Sequence, residues 1–200
     1  IKASLPNNRG AYGILINYGT GSTGYVDAPS IVNNTINDLE GHWAHGIGLE
    51  TNTPNAIIEG NTFSNIVATK TYDKYALFFE TNPSIGTVTV NNNNFNSTHG
   101  IGIHSVLLGT LTNEVLNAEL NWWGDASGPS GTDLNGSGAL FGDDASDASI
   151  VAHVDYTPWL GALVGTTPMT YYGDASDEDF VSEAINYAQD GDEIVVQPGT

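Results

Sequence analysis

Val32-Asn33-Asn34-Thr35-Ile36, Glu59-Gly60-Asn61-Thr62-Phe63, Asn91-Asn92-Asn93-Asn94-Phe95 and Glu119-Leu120-Asn121-Trp122-Trp123 are four versions of one phrase. In each, an Asn is followed, one residue on, by a large apolar side chain. Asn34, Asn61, Asn93 and Asn121 stand 27, 32 and 28 residues apart. A repeat of that length is one supersecondary unit that cannot bury its own hydrophobic face, so it must stack on a copy of itself.

Between these phrases runs a second one. Gly13-Ile14-Leu15-Ile16, Gly46-Ile47-Gly48-Leu49, Ala76-Leu77-Phe78-Phe79 and Gly100-Ile101-Gly102-Ile103 are its copies, and Glu50-Thr51-Asn52 matches Glu80-Thr81-Asn82 after the middle two. Runs this short, β-branched and bounded by Gly, Asn, Pro and Ser read as strands, with no helical spacing. Several short strands per unit, all in one direction, predict a parallel β-helix with successive coils ~4.8 Å apart. Ile14, Ile47, Leu77 and Ile101 then form one internal stack, and Ile36, Phe63, Phe95 and Trp123 another. The Asn column is expected at a sharp bend, where Asn tolerates left-handed backbone angles. Each amide can donate to the carbonyl one coil away, giving a structural ladder of Asn34, Asn61, Asn93 and Asn121.

Composition narrows the function classes. Lys and Arg total 4 against 23 Asp and Glu, a formal net charge of −19. With no basic surface to displace counterions, nucleic-acid binding is excluded, and an anionic membrane is an equally poor partner. The acidity suits cation binding and an extracellular or cell-surface setting. Cys is absent, which a long stacked core tolerates. The longest apolar run, residues 159–164, is far too short to span a bilayer. The chain opens without Met in a polar stretch and reads as a mature product or an excerpt of something longer. Asn33, Asn96 and Asn135 begin Asn-x-Ser/Thr triplets and are candidate glycosylation acceptors in a secretory context.

The repetition stops at Trp123. Gly124-Asp125-Ala126-Ser127-Gly128-Pro129-Ser130 and a Gly/Asp/Ser-rich loop follow, then Val151–Asp155 reads as a strand. Pro158 and Trp159 are suited to lid the open end of the stack. Residues 161–170 read as a linker. Beyond it, apolar residues at 180, 181, 184, 185 and 188 have helical spacing with acids at the start, and Ile194-Val195-Val196 is a strand.

The string Asp179-Phe180-Val181-Ser182-Glu183-Ala184-Ile185-Asn186-Tyr187-Ala188-Gln189-Asp190-Gly191-Asp192-Glu193-Ile194-Val195-Val196-Gln197-Pro198-Gly199-Thr200 resembles the N-terminal cap and first coil of right-handed parallel β-helix proteins of the cell surface. Asn121-Trp122-Trp123-Gly124-Asp125-Ala126-Ser127-Gly128-Pro129-Ser130 with Val154-Asp155-Tyr156-Thr157-Pro158-Trp159-Leu160 resembles the closing coil of that family, and the repeats between are similar to those of pectate-lyase-like and NosD-like proteins. The resemblance implies an all-β, right-handed parallel β-helix (solenoid) ending in a helix-plus-strand segment. Residues 1–160 would be its last coils and closing cap, 161–170 a linker, and 171–200 the cap of a following β-helix or a docking segment for the end near Ile1 of a neighbouring copy. A head-to-tail contact of that kind generates a filament unless it closes.

An enzyme site is not apparent. The only basic residues are Lys2, Arg9, Lys70 and Lys74, with no Arg on a strand face beside carboxylates, which speaks against a polysaccharide lyase. Glu50 and Glu80, on successive coils, are the best carboxylate pair and a candidate cation site, calcium included. The loops around Asp143, Asp144 and Asp147 and around Asp174, Asp177, Glu178 and Asp179 are expected to be solvated, with Asp125 bonding its own turn. His42, His45, His99, His104 and His153 give no metal site: His45 and His99 are equivalent, yet a whole coil at Lys74-Tyr75 separates them. The expectation is therefore a non-enzymatic structural component of the cell surface without a cofactor, of S-layer-like, adhesin-like or filament type, occurring as a homo-polymer or tandem domains. The alternative is a carbohydrate-binding or polysaccharide-cleaving protein in which Tyr72, Tyr75 and Trp43 stack on sugar rings beside Glu50 and Glu80.

Overall fold

The computed structural model describes residues 3–4, 9–17, 24–81, 84–175, 177 and 179–198. Lys2, Asn82, Glu178, Gly199, Thr200 and the end at Ile1 lie outside the described residues. The strands of the repeats are β1 (Ala3–Ser4), β2 (Ala11–Ile16), β3 (Ser30–Val32), β4 (Thr35–Gly41), β5 (Ala44–Leu49), β6 (Ile57–Glu59), β7 (Thr62–Ala68), β8 (Lys74–Phe79), β9 (Thr89–Asn91), β10 (Asn94–Asn96), β11 (His99–Ile103) and β12 (Leu116–Asn117). Helix α1 (Ser105–Leu108) lies between β11 and β12. There follow β13 (Ser130–Gly131), β14 (Leu134–Asn135), β15 (Leu140–Asp143), β16 (Val154–Asp155), β17 (Trp159–Leu160), β18 (Thr170–Asp174), α2 (Phe180–Tyr187) and β19 (Glu193–Gln197).

Three of the four sheets are built mainly by parallel pairing of every third strand of the repeats. Their orders are β1-β4-β7-β10, then β14-β13-β15-β11-β8-β5-β2, then β16-β12-β9-β6-β3. The chain thus visits each sheet once per repeat. Ile14, Ile47, Leu77 and Ile101 are register partners along one sheet, as are Ile36, Phe63 and Phe95 along another. The Phe63 and Phe95 rings stack 5.1 Å apart and Phe95 on Trp123 4.6 Å apart. All three rings are fully buried.

The expected all-β, single right-handed parallel β-helix is corrected by the rest of the topology. Among the described residues the chain is a mixed arrangement of four separate sheets, mostly parallel, with two α-helices, and no single solenoid runs through them. Pairs β13–β14 and β17–β18 are antiparallel. The reason lies in the sequence after Trp123, where the repeat that enforces like-on-like stacking is lost and helical spacing takes over at 180–188.

Backbone geometry at the bends also differs from expectation. The left-handed residue is the one before each ladder asparagine: Asn33 (φ 56°), Gly60 (φ 67°), Asn92 (φ 57°) and Leu120 (φ 56°). A Cβ at position 60 would lie 2.3 Å from Asn33 Oδ1, so glycine leaves room there for the Asn33 side chain. Leu120 tolerates a conformation costing about 1–2 kcal/mol because its side chain is buried at the junction with the C-terminal segment.

That junction is a second core of Leu120, Leu160, Met169, Tyr171, Phe180 and Ala184. Leu120 N–H donates to Pro158 O (2.6 Å) and Leu160 N–H to Asn121 O (3.0 Å), so residues 158–160 lie against the last asparagine bend, just after β16 has extended the third sheet. Strand β18 then reverses direction against β17, and β19 pairs in parallel with β18. The segment read as a linker closes this antiparallel pair, with Val164 N–H on Asn94 Oδ1 (2.8 Å). Helix α2 buries Phe180 and Ala184 and leaves Val181 and Ile185 exposed, so half of its apolar spacing faces solvent.

Candidate functional site: the asparagine column and a polar groove

The four asparagines are joined through their side chains. Asn34 Nδ2 donates to Asn61 Oδ1 (3.0 Å), Asn61 Nδ2 to Asn93 Oδ1 (3.0 Å), and Asn93 Nδ2 to Asn121 Oδ1 (3.1 Å). Each Oδ1 also accepts the backbone N–H of the preceding member, at 2.9, 2.9 and 2.8 Å. Asn61, Asn93 and Asn121 are fully buried. Their spare N–H groups reach main-chain carbonyls, Ile31 O, Ile58 O and Val90 O among them. The column holds the bend together, and its buried amides are bonded to one another and to the main chain.

The seven-stranded sheet carries the other constellation. Its strands end in the register row Ile16, Leu49, Phe79, Ile103 and Asp143. One residue beyond that row stand Asn17, Glu50, Glu80, His104 and Asp144, so five polar residues follow one another at about the ~4.8 Å rise of the strands. The backbone enforces this: Glu50 N–H donates to Ile16 O, Glu80 N–H to Leu49 O and His104 N–H to Phe79 O, at 3.0, 3.0 and 2.9 Å. On the outward face behind them lies a layer of Tyr12, His45, Tyr75, Phe78 and His99. His45 stacks on Phe78 at 4.1 Å, and Tyr75 packs edge-on to His99 at 5.3 Å. Gly102 makes room for this layer, since a Cβ there would meet the Tyr75 ring at 2.4 Å.

Of these residues Tyr12, His45, Glu50, Glu80, His104 and Asp144 line a groove of about 340 Å³, with Trp43, Lys70 and Asp73 at its other side. Tyr12 donates its hydroxyl hydrogen to Glu50 Oε1 and accepts from Trp43 Nε1 (3.2 Å), while Asn17 Nδ2 donates to Glu50 Oε2 (2.7 Å). Burial and the bond to Glu50 raise the Tyr12 phenol above its ordinary range. Burial raises the Glu80 carboxyl, Glu50 and Asp144 add to the effect, and His104 and His45 oppose it. His104 Nε2 lies 3.7 Å from Glu80 and 3.6 Å from Asp144.

At the other side, Asp73 accepts from His45 Nε2 and from Lys70 Nζ, both at 2.7 Å. Burial opposes ionisation of Asp73, but these two bonds win and hold its carboxyl below the ordinary value. Asp73 is therefore an acceptor and His45 Nε2 the donor. His45 is 2% exposed, and its Nδ1 has no hydrogen-bond partner among the described residues.

Glu50 and Glu80 are thus neighbours in one column, each held by different groups. Trp43 lines the groove, Tyr75 is buried within the outward aromatic layer, and Tyr72 is 40% exposed outside the groove lining. Asn33, Asn96 and Asn135 are all exposed, with Trp122 Nε1 donating to Asn96 Oδ1 (3.1 Å). Tyr75, the register partner of His45, stands between it and His99. Burial lowers His99 to a pKa of about 4, with Lys74 adding to the drop and Asp147 opposing it.

The acidic loops serve their own backbone. Asp143 Oδ1 accepts from the N–H groups of Ala145, Ser146 and Ala148, and Asp125 Oδ1 from Ser127 N–H and its hydroxyl. Among the described residues no group of three or more His, Asp or Glu side chains is placed to hold a metal ion, and no helix is long and apolar enough to cross a membrane.

Tyr12, Lys70, Asp73, His104 and Asp144 were not singled out from the sequence as site residues. A signal for Tyr12 exists: Tyr12, His45, Tyr75 and His99 all directly precede the Gly/Ala-Ile/Leu phrase, a fixed ring position in every repeat. Comparison with protein-family models, with curated proteins and with solved structures gives no match.

Proposed function

We propose that this chain is a non-enzymatic structural module of the cell surface, of S-layer-like, adhesin-like or filament type, that presents a rigid acidic body to the outside. The observation that carries the reading is the unbroken run of asparagine bonds through four repeats, buried at Asn61, Asn93 and Asn121 and flanked by the Phe63–Phe95–Trp123 ring stack. Both are directional and repetitive, so they resist bending and local opening more than an ordinary core does. A formal charge of −19 keeps such a surface hydrated and attracts cations, calcium among them. The C-terminal segment packs on its own chain through Phe180 and Ala184, which supports tandem domains over donation to a neighbour. Electron microscopy of native material tests the reading. Ordered fibres or a lattice resistant to protease are expected; dispersed particles that release reducing sugar from polysaccharide would overturn it.

A second reading is favoured by one observation. The groove of Tyr12, Trp43, Glu50, Glu80 and His104 is concave, carries aromatic rings beside carboxylates, and has the volume of a small-ligand site. On this reading the module also binds carbohydrate there.

A further inference from the structure

We infer that the groove on the seven-stranded sheet recognises saccharides that bear primary amines, with the ammonium received by the Glu50–Glu80–Asp144 side and the ring by Tyr12 and Trp43. The inference rests on the carbohydrate reading of the same groove and goes beyond it by fixing the ligand's charge and hydrogen-bonding sense.

The argument is an accounting of donors and acceptors. Most donors of the groove are engaged internally, and the ones left are spare N–H groups of Lys70 and His104 Nε2, which lies 3.6 Å from Asp144 and 3.7 Å from Glu80. Lys70 Nζ is bound to Asp73, the Tyr12 hydroxyl to Glu50, Trp43 Nε1 to Tyr12, and His45 Nε2 to Asp73. The larger part of what remains is acceptor capacity. Among the described residues, Glu80 has only a 3.7 Å ion pair with His104, Asp144 Oδ2 a 3.6 Å one, and each oxygen of Glu50 takes one bond where a carboxylate oxygen can take two. Four carboxylates face a single lysine. An anionic sugar is repelled from such a site, while an ammonium meets charge-assisted acceptors.

A second observation points to a ligand independently of the acids. His45 lines the groove, is 98% buried by its 2% exposure, and has an unpartnered Nδ1. Unsatisfied buried polar atoms are rare in native proteins and mark places where a ligand or water belongs. With Nε2 fixed as the donor to Asp73, Nδ1 of a neutral ring is an unfilled acceptor in the groove wall.

The experiment is calorimetric titration of the full chain with a glucosamine oligomer, the fully N-acetylated oligomer of equal length, and spermidine. The glucosamine oligomer is expected to bind at least tenfold more tightly than either comparator. Glu80→Gln, checked for folding by circular dichroism, is expected to lose most of that binding. Glu40→Gln, which removes the same charge from an exposed site on another sheet, is expected to keep it. Equal or tighter binding of the N-acetylated oligomer would overturn the inference and leave the carbohydrate reading standing. Equal or tighter binding of spermidine would overturn the assignment to sugars. Absence of binding by both oligomers would overturn both. Unchanged binding in Glu80→Gln would place the ligand elsewhere and overturn the assignment of this groove.

Discussion

Replacing Asn93 with Ala tests the asparagine column where it is most buried. Asn93 is fully buried and makes five side-chain bonds. In the variant, Asn61 N–H loses its Oδ1 acceptor at 2.9 Å, and Ile58 O loses a donor at 2.9 Å. Asn61 Nδ2 keeps Ile31 O, and Asn121 Oδ1 keeps the backbone N–H of residue 93. The expected cost is therefore set by two stranded buried groups, at about 1–3 kcal/mol each. A loss of about 3 kcal/mol corresponds to a Tm lowered by about 6–12 °C in a chain of this size. Asn34→Ala is the control. Asn34 sits at the half-exposed end of the column, where water replaces the lost bonds to Val32 O and Asn61 Oδ1, and about 1 kcal/mol or less is expected. Thermal unfolding followed by circular dichroism measures both. Equal, small shifts for the two variants would refute the claim that the column is held by buried amides.

Two further outcomes follow from the packing. Glu119 is buried, takes a bond from Asn117 Nδ2, and is raised to a pKa of about 7, by burial first and then by Glu183, Asp155 and Asp177. It holds its proton more tightly when folded, so its contribution is fully present below the unfolded value near pH 4.5 and is lost as pH rises to about 7. Glu119→Gln should flatten this slope and raise Tm at pH 8 by about 4–8 °C, on the order of 2 kcal/mol, in thermal melts across pH. Gly102→Ala forces a Cβ to 2.4 Å from Tyr75, whose hydroxyl is pinned by Asp143 O (2.8 Å) and Asp147 Oδ1 (3.0 Å). Urea unfolding should show a loss of about 1–3 kcal/mol, against about 0.5 kcal/mol or less for Gly109→Ala, whose nearest neighbour lies at 3.7 Å.

The legible part of the fold was the part that repeats. Ile47 over Leu77, or Phe63 over Phe95, follows from a fixed phrase recurring once per stacking unit, because parallel pairing in register puts like on like. Glu50 and Glu80 were legible as neighbours for the same reason. The groove around them was not. Lys70 and Asp73 come from a turn between β7 and β8, and Asp144 from the end of β15, beyond the last repeat. Irregular connections bring such residues together, and no period in the sequence encodes their length or path.

The single solenoid failed where local signals competed. Residues 180–188 have helical spacing, but which side of the helix is buried depends on Leu120, Leu160 and Tyr171, which meet only after β18 has turned back on β17. The amino-acid sequence by itself determined that short parallel strands would stack with an asparagine at each bend, because hydrogen bonds one strand spacing apart need only local repetition. The tertiary structure alone decided that the chain divides into four sheets, that its end docks on itself, and that Tyr12, His45, Glu80 and Asp144 share one groove, because those contacts depend on long-range burial and on the course of the loops.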